Sequence, residues 1–201
     1  MACWSSTESG FSLWGRLLPR AGLLAPLVVL LTACDATSGL PTFNTVPQFT
    51  LTDQSGAQFD SAKLNNHIWV ADFIFTNCPG PCPRMSSQMR QVQAALAYAD
   101  VKIVSFTIDP ERDTPQVLAD YSVHFAARPG VWYFLTGPVQ TLRHLDHDVF
   151  QLGDIDGTLE HSTRFILVDR KSRVRGFYQT SEPNEVPRLT ADAKSLLRER
   201  S

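Results

Sequence analysis

Apolar residues in this chain gather in short blocks separated by polar turns. Ile68-Trp69-Val70-Ala71-Asp72-Phe73-Ile74-Phe75 is apolar at every position but one, as a central strand buried on both faces must be. The pattern then changes period. Met85, Met89, Val92 and Leu96 recur at spacings of four, three and four, which predicts one face of a helix. Val101 to Ile108 reads as the next strand. Thr114-Pro115 supplies the N-cap and first residue of a second helix, with Val117, Leu118, Tyr121 and Phe125 on one face. Val131 to Leu135 is a third strand, and Val139, Leu142, Leu145 and Val149 mark a short helix. Arg164 to Val168 and Val174 to Tyr178 predict a closing hairpin. Val186, Leu189, Ala193 and Leu197 mark a last helix. The order β-α-β-α-β-α-β-β-α predicts an α/β sandwich with a mixed central sheet flanked by helices.

The start of the chain follows a different logic. Arg16 and Arg20 flank an apolar run from Ala21 to Leu31 that contains Pro26. The run is too short to span a bilayer comfortably and fits the apolar region of a secretory signal. Leu31-Thr32-Ala33-Cys34 follows, resembling the lipobox of bacterial lipoproteins, in which the cysteine becomes the lipidated N-terminus. Asp35 resembles the pattern that keeps such lipoproteins in the inner membrane. The expected organisation is a signal peptide over 1–33, a flexible tether over 34–46 and one domain over 47–200. The resemblance implies a bacterial protein on the extracytoplasmic, periplasmic side of the inner membrane, held there by lipid on Cys34.

The net charge is −2 and no basic run is visible, so nothing calls for nucleic acid. Of the four cysteines, Cys3 leaves with the signal and Cys34 is assigned to lipid. Cys78 and Cys82 remain, in Phe75-Thr76-Asn77-Cys78-Pro79-Gly80-Pro81-Cys82-Pro83, at the end of the first strand. Two thiols this close can close a disulfide or clamp one soft metal ion. A staple across three residues adds little to folding, since the gain grows with loop length. Pro83 is suited to the first position of a helix, which would put Cys82 at the N-cap and make it a candidate low-pKa thiolate.

A cysteine pair at the end of the first central strand, leading into a helix, resembles the thioredoxin fold. Asp72, six positions before Cys78, matches the buried acid that thioredoxins use for proton transfer. Three stretches narrow this: Cys78-Pro79-Gly80-Pro81-Cys82-Pro83, Ser105-Phe106-Thr107-Ile108-Asp109-Pro110-Glu111-Arg112-Asp113-Thr114-Pro115, and Glu160-His161-Ser162-Thr163. Together they resemble the Sco/SenC family of copper-binding, thioredoxin-like proteins that serve cytochrome c oxidase assembly, over about residues 45–195. The resemblance implies a copper site of Cys78, Cys82 and His161. Thiolates suit Cu(I), and imidazole suits copper in either oxidation state. Zinc is the rival ion, but structural zinc takes four protein ligands and no fourth is evident. Asp72, Asp109 and Asp113 are candidates for supporting positions around the site.

The other histidines have blander contexts. His144 and His147 read as a solvated face with Asp146 and Asp148; His124 sits in a helix and His67 at a strand start. Met85 and Met89 read as core, and Asp154-x-Asp156-Gly157 as a tight turn. Two functions compete. One is a metallochaperone that passes copper to the copper-centre subunit of a haem-copper oxidase, and it is not an enzyme. The other is a thiol–disulfide oxidoreductase, which needs only Cys78 and Cys82. Both need a thiol reductant protein as partner. A thiol peroxidase is a weaker third reading, since Thr76-Asn77-Cys78 only partly mimics a peroxidatic motif.

Overall fold

The computed structural model describes residues 39–152 and 163–199. The chain divides at Cys34, and Asp35–Ser201 is one compact unit. Its described elements are β1 (Thr50–Asp53), β2 (Gln58–Asp60), a 3-10 turn (Ser61–Leu64), β3 (Ile68–Ile74), α1 (Pro81–Ala95), β4 (Val101–Thr107), α2 (Pro115–His124) and β5 (Trp132–Thr136). Then come α3 (Val139–Arg143), which runs on as a π-helical turn (His144–Val149), β6 (Arg164–Val168), β7 (Val174–Gln179) and α4 (Glu185–Arg198).

The sheet is mixed, in the order β2-β1-β5-β4-β3-β6-β7. β3, β4 and β5 are parallel neighbours; β6 lies antiparallel to β3, and β7 to β6. The predicted architecture is therefore the observed one, with two additions. β1 and β2 form an antiparallel pair on the far side of β5. Their periodicity is short and mostly polar, and only Leu51 and Phe59 among them are buried apolar residues.

Every residue of β3 is buried, and strand parity sends its side chains to opposite layers. Ile68, Val70 and Ile74 join Met85, Met89 and Val92 of α1, Leu118 of α2 and Leu189, Ala193 and Leu196 of α4. Trp69, Ala71 and Phe73 join Phe106, Phe150 and Leu142 of α3 on the other face. Phe73 stacks on Phe106 at 5.0 Å between ring centroids, and Phe150 meets Phe73 edge-on at 5.8 Å. Among the described residues, the buried apolar side chains of both layers lie between Val46 and Leu196, and Leu40 and Leu197 pack against them.

Residues 40–46, expected within the tether, run beside β7. Phe43 N–H donates to Val174 O at 2.9 Å, Val174 N–H to Asn44 O at 2.8 Å, and Val46 N–H to Ser172 O at 2.7 Å. The buried Arg175 guanidinium donates to Pro41 O at 2.9 Å and Leu40 O at 3.0 Å. The same group pairs with Asp169 and Glu199, each at 3.0 Å. Burial pushes the Asp169 carboxyl up, but hydrogen bonds from Arg173 and Arg175 outweigh it and hold it below its usual range.

Two local expectations are corrected. Val117 is exposed although its helix face was expected to be apolar; Leu118 and Tyr121 carry the contact with the sheet. Asp146 is buried rather than solvated, because the π-helical turn adds a residue per turn and rotates it inward, away from His144, His147 and Asp148. His144 and His147 do pair with the exposed Asp148, at 2.8 and 2.9 Å.

Asp146 generates a prediction. Its Oδ1 is buried without a hydrogen-bond partner among the described residues, and burial pushes its carboxyl up to about 6, with His147 opposing. A folded-state value above the unfolded one means that the charge costs stability at pH 7 and that protonation removes the cost as pH falls through 6. Asp146→Asn should therefore stabilise the domain by about 1–2 kcal/mol at pH 7.5, or several degrees in Tm, and by almost nothing at pH 4. Thermal melts of both proteins across that range check it; a pH-independent difference contradicts it.

Candidate metal centre

β3 runs out at Ile74, and its direction carries Phe75 to Gly80 across the C-terminal end of the parallel strands. This is where an open α/β sheet places its ligand sites. α1 then starts at Pro81, with Gly80 as its N-cap. Cys82 is thus the second residue of the helix and not its cap. Pro81 meets the first-turn requirements as well as Pro83 does, so the helix begins two residues earlier than expected.

The extra residues turn Cys82 inward. It is 0% exposed and packs with Met85 and Met89, while Cys78 on the loop is 8% exposed. The two side chains share a hydrogen bond. Burial pushes the Cys82 thiol strongly up; a backbone hydrogen bond from Phe75 opposes this, and Cys78 and Asp72 add to it. The expected low-pKa thiolate is therefore overturned. The favourable field of a helix N-terminus is small beside the cost of taking a thiolate out of water.

Asp72 sits on the α1 face of β3, fully buried. Its Oδ1 accepts from Ser105 Oγ at 2.6 Å, and Ser105 Oγ accepts from Trp132 Nε1 at 2.9 Å. Its Oδ2 has no hydrogen-bond partner among the described residues. Burial pushes the carboxyl up to about 7, with the Ser105 bond opposing. Asp72 acts on Cys82 as a like charge, so the acid and the thiol belong to one electrostatic group.

Asp113 reaches the loop directly. It is 1% exposed and accepts the Thr76 N–H at 3.2 Å, the Thr76 hydroxyl and the Thr107 hydroxyl. It ties the start of α2 and the end of β4 to a residue two positions before Cys78. Asp109 is largely covered, taking Arg112 Nη1 at 2.8 Å, and its N–H donates to Thr107 Oγ1 at 2.9 Å. The structure thus brings Cys78, Cys82, Asp72 and Asp113 around one strand end and leaves Asp109 at its rim. His161 and Cys34 lie outside the described residues, as does the Asp154 to Gly157 turn. Among the described residues no three histidine, cysteine or carboxylate side chains converge as a metal site. The two cysteines supply a pair of soft donors, which suits copper and needs a further ligand. Sequence reasoning missed Thr76, Thr107, Ser105 and Trp132; Ser105, set between Val104 and Phe106 in β4, was the available signal.

The SCO1/SenC family model matches residues 38–198. A Bacillus subtilis SCO1 protein homolog is 32% identical over 87% of this chain and 95% of its own length. Among solved structures, a SCO1/SenC family lipoprotein from Bacillus anthracis is 31% identical with TM-score 0.70, covering 77% of this chain and 96% of that one. BsSco, a member of the Sco family of cytochrome c oxidase assembly proteins in which a disulfide switch was identified, is 29% identical with TM-score 0.72, covering 82% and 100%. Bradyrhizobium japonicum ScoI, solved with copper bound, is 24% identical with TM-score 0.62, covering 75% and 98%, and shares the fold.

The Asp113 clamp is testable apart from any metal. Asp113→Ala leaves two hydroxyls and an amide without their acceptor and should cost about 2–4 kcal/mol, seen as a lower urea midpoint. Asp113→Asn keeps the shape and some acceptance and should cost less. Equal stability of wild type and Asp113→Ala contradicts the clamp.

Proposed function

The chain belongs to the SCO1/SenC family, and from that premise we propose that it is a copper metallochaperone, binding one copper ion through Cys78, Cys82 and His161 and passing it to the copper-centre subunit of a haem-copper oxidase. The observation that supports this most is the pair of thiols, hydrogen bonded to each other, with Cys82 in the first turn of α1 and Cys78 on the loop that Asp113 pins to β4 through Thr76. Two thiolates held in one place form a soft site for Cu(I) and balance the charge of Cu(II).

The state of Cys82 also fits metal binding better than free nucleophilic attack. A thiol pushed up by burial is a poor attacking group at neutral pH, whereas a coordinating thiol is deprotonated outright by the ion. Asp72 is placed to take part in that proton release. The site is asymmetric: Cys82 is sealed in the core, and Cys78 is the thiol nearer the surface. Cys78 is thus the position at which a receiving protein exchanges ligands. The alternative, a thiol–disulfide oxidoreductase, draws on the mutual hydrogen bond of the thiols, which leaves them ready to close a disulfide. In either role a reductant protein must return the pair to dithiol form. Lipid on Cys34 would hold the domain on the periplasmic face of the inner membrane.

Three outcomes are expected. The reduced domain binds one copper per chain, and the Cys78–Cys82 disulfide form binds none; its affinity rises with pH because protons compete for the ligands. Metal titration of both forms decides this, and equal affinity refutes a dithiolate site. His161→Ala loses tight copper binding and oxidase assembly at limiting copper, while dithiol exchange survives in vitro. Full oxidase activity in that strain promotes the reductase instead. Cys34→Ser abolishes labelling by a fatty-acid probe; a variant that is still labelled shows that the lipid is elsewhere.

A further inference from the structure

The chain as a whole is slightly acidic, yet positive charge collects at one pole of the domain. Arg170 donates to the carbonyls of Leu196, Leu197 and Glu199 at 3.0 to 3.4 Å, stitching the β6–β7 turn to the last turn of α4. That brings Lys171 beside the end of α4, where Lys194 and Arg198 lie one turn apart, and all three are exposed. Asp169 is paired by Arg173 and Arg175 and Glu199 by Arg175, while Asp192 accepts from the Tyr178 hydroxyl at 2.8 Å. Among the described residues Lys171, Lys194 and Arg198 have no ion-pair partner.

This pole lies opposite the cysteines. Val168 pairs with both Trp69 and Val174, so Arg175 stands near the start of β3, roughly 15 Å of strand from Ile74. It is also where the N-terminal segment is fastened, because Arg175 holds Leu40, Pro41 and Glu199 together. Cys34 is six residues before Leu40, so a lipid there is at most about 20 Å of extended chain from the segment that Arg175 fastens. A bilayer carrying anionic headgroups attracts each nearby Lys or Arg by about fivefold in partitioning.

We propose that the surface formed by Arg170, Lys171, Lys194 and Arg198 rests on anionic lipid headgroups, so that the domain stands on that pole with the cysteine loop turned away from the bilayer. The reach rests on the lipid anchor at Cys34; the charge does not.

The test therefore uses the unlipidated Asp35–Ser201, which is one compact unit. Its sedimentation with vesicles of phosphatidylcholine alone is compared with that of vesicles containing phosphatidylglycerol, in about 50 mM salt. Binding at least tenfold tighter to the anionic vesicles is expected, with loss in 0.5 M salt. Lys171→Glu, Lys194→Glu and Arg198→Glu combined should abolish the preference with an unchanged thermal midpoint, because none of the three is buried. Arg170 is left in place since it caps α4. Equal binding to both vesicles, no binding to either, or an unaffected triple variant overturns the proposal. So does equally tight binding to polyglutamate, which assigns the surface to an acidic protein. Because no lipid is attached, a negative result here is separate from any failure of Cys34 labelling.

Discussion

β3 is buried on both faces, and the rest of the domain follows from that constraint. A strand with no solvent side needs a layer on each face, and its side-chain alternation assigns one set of residues to each layer. α1, α2 and α4 cover one face; α3, its π-helical turn and the aromatic cluster around Phe73 cover the other. The same alternation fixes where a polar exception can stand. Asp72 falls on the α1 face and therefore beside Cys82, so its burial is a direct result of its position in the strand. Where β3 ends, the layers end with it, and the loop carrying Cys78 crosses the opening.

That geometry explains why the cysteines are so unequal. The helix begins at Pro81, two residues before the position favoured from sequence, and this draws Cys82 into the apolar layer. A thiol in that setting resists ionisation, and Asp72 and Cys78 reinforce the resistance. In the proposed copper site, Cys82 would give up its proton to an incoming ion. If Cys82 is a ligand, as proposed, selectivity for a soft metal would come from its burial as much as from the identity of the donors. Asp113 supplies the complementary stiffness, since it pins Thr76 and with it the loop that carries Cys78.

Much of this was legible from residue order. The apolar block of β3, the helical spacings of α1 and α4 and the closing hairpin each carry their own period, and the cysteine spacing with the Asp109 to Pro115 stretch marks the candidate site. What was hidden depended on contacts across the sequence. β1 and β2 are short, and their core residues are too few to set a rhythm. The inward turn of Asp146 follows from a π-helical register that 3.6-residue spacing cannot reveal. Thr76 and Thr107 became significant only when folding delivered both to Asp113. The basic pole was invisible for the same reason: Arg170 and Lys171 are separated from Lys194 and Arg198 by over twenty residues, and no charge run betrays them.

The buried Arg175 fastens the carbonyls of Leu40 and Pro41 to the carboxylate of Glu199. The first and last described stretches of the domain therefore meet at one guanidinium. A domain whose first and last described stretches are neighbours is topologically almost a ring. The domain can accordingly be circularly permuted, its old termini joined by a short linker and new ones opened in a surface turn, or inserted whole into a loop of a host protein without prying the host apart. An anchor at one end and a cargo fused to the other would emerge from the same spot, leaving the opposite pole unencumbered.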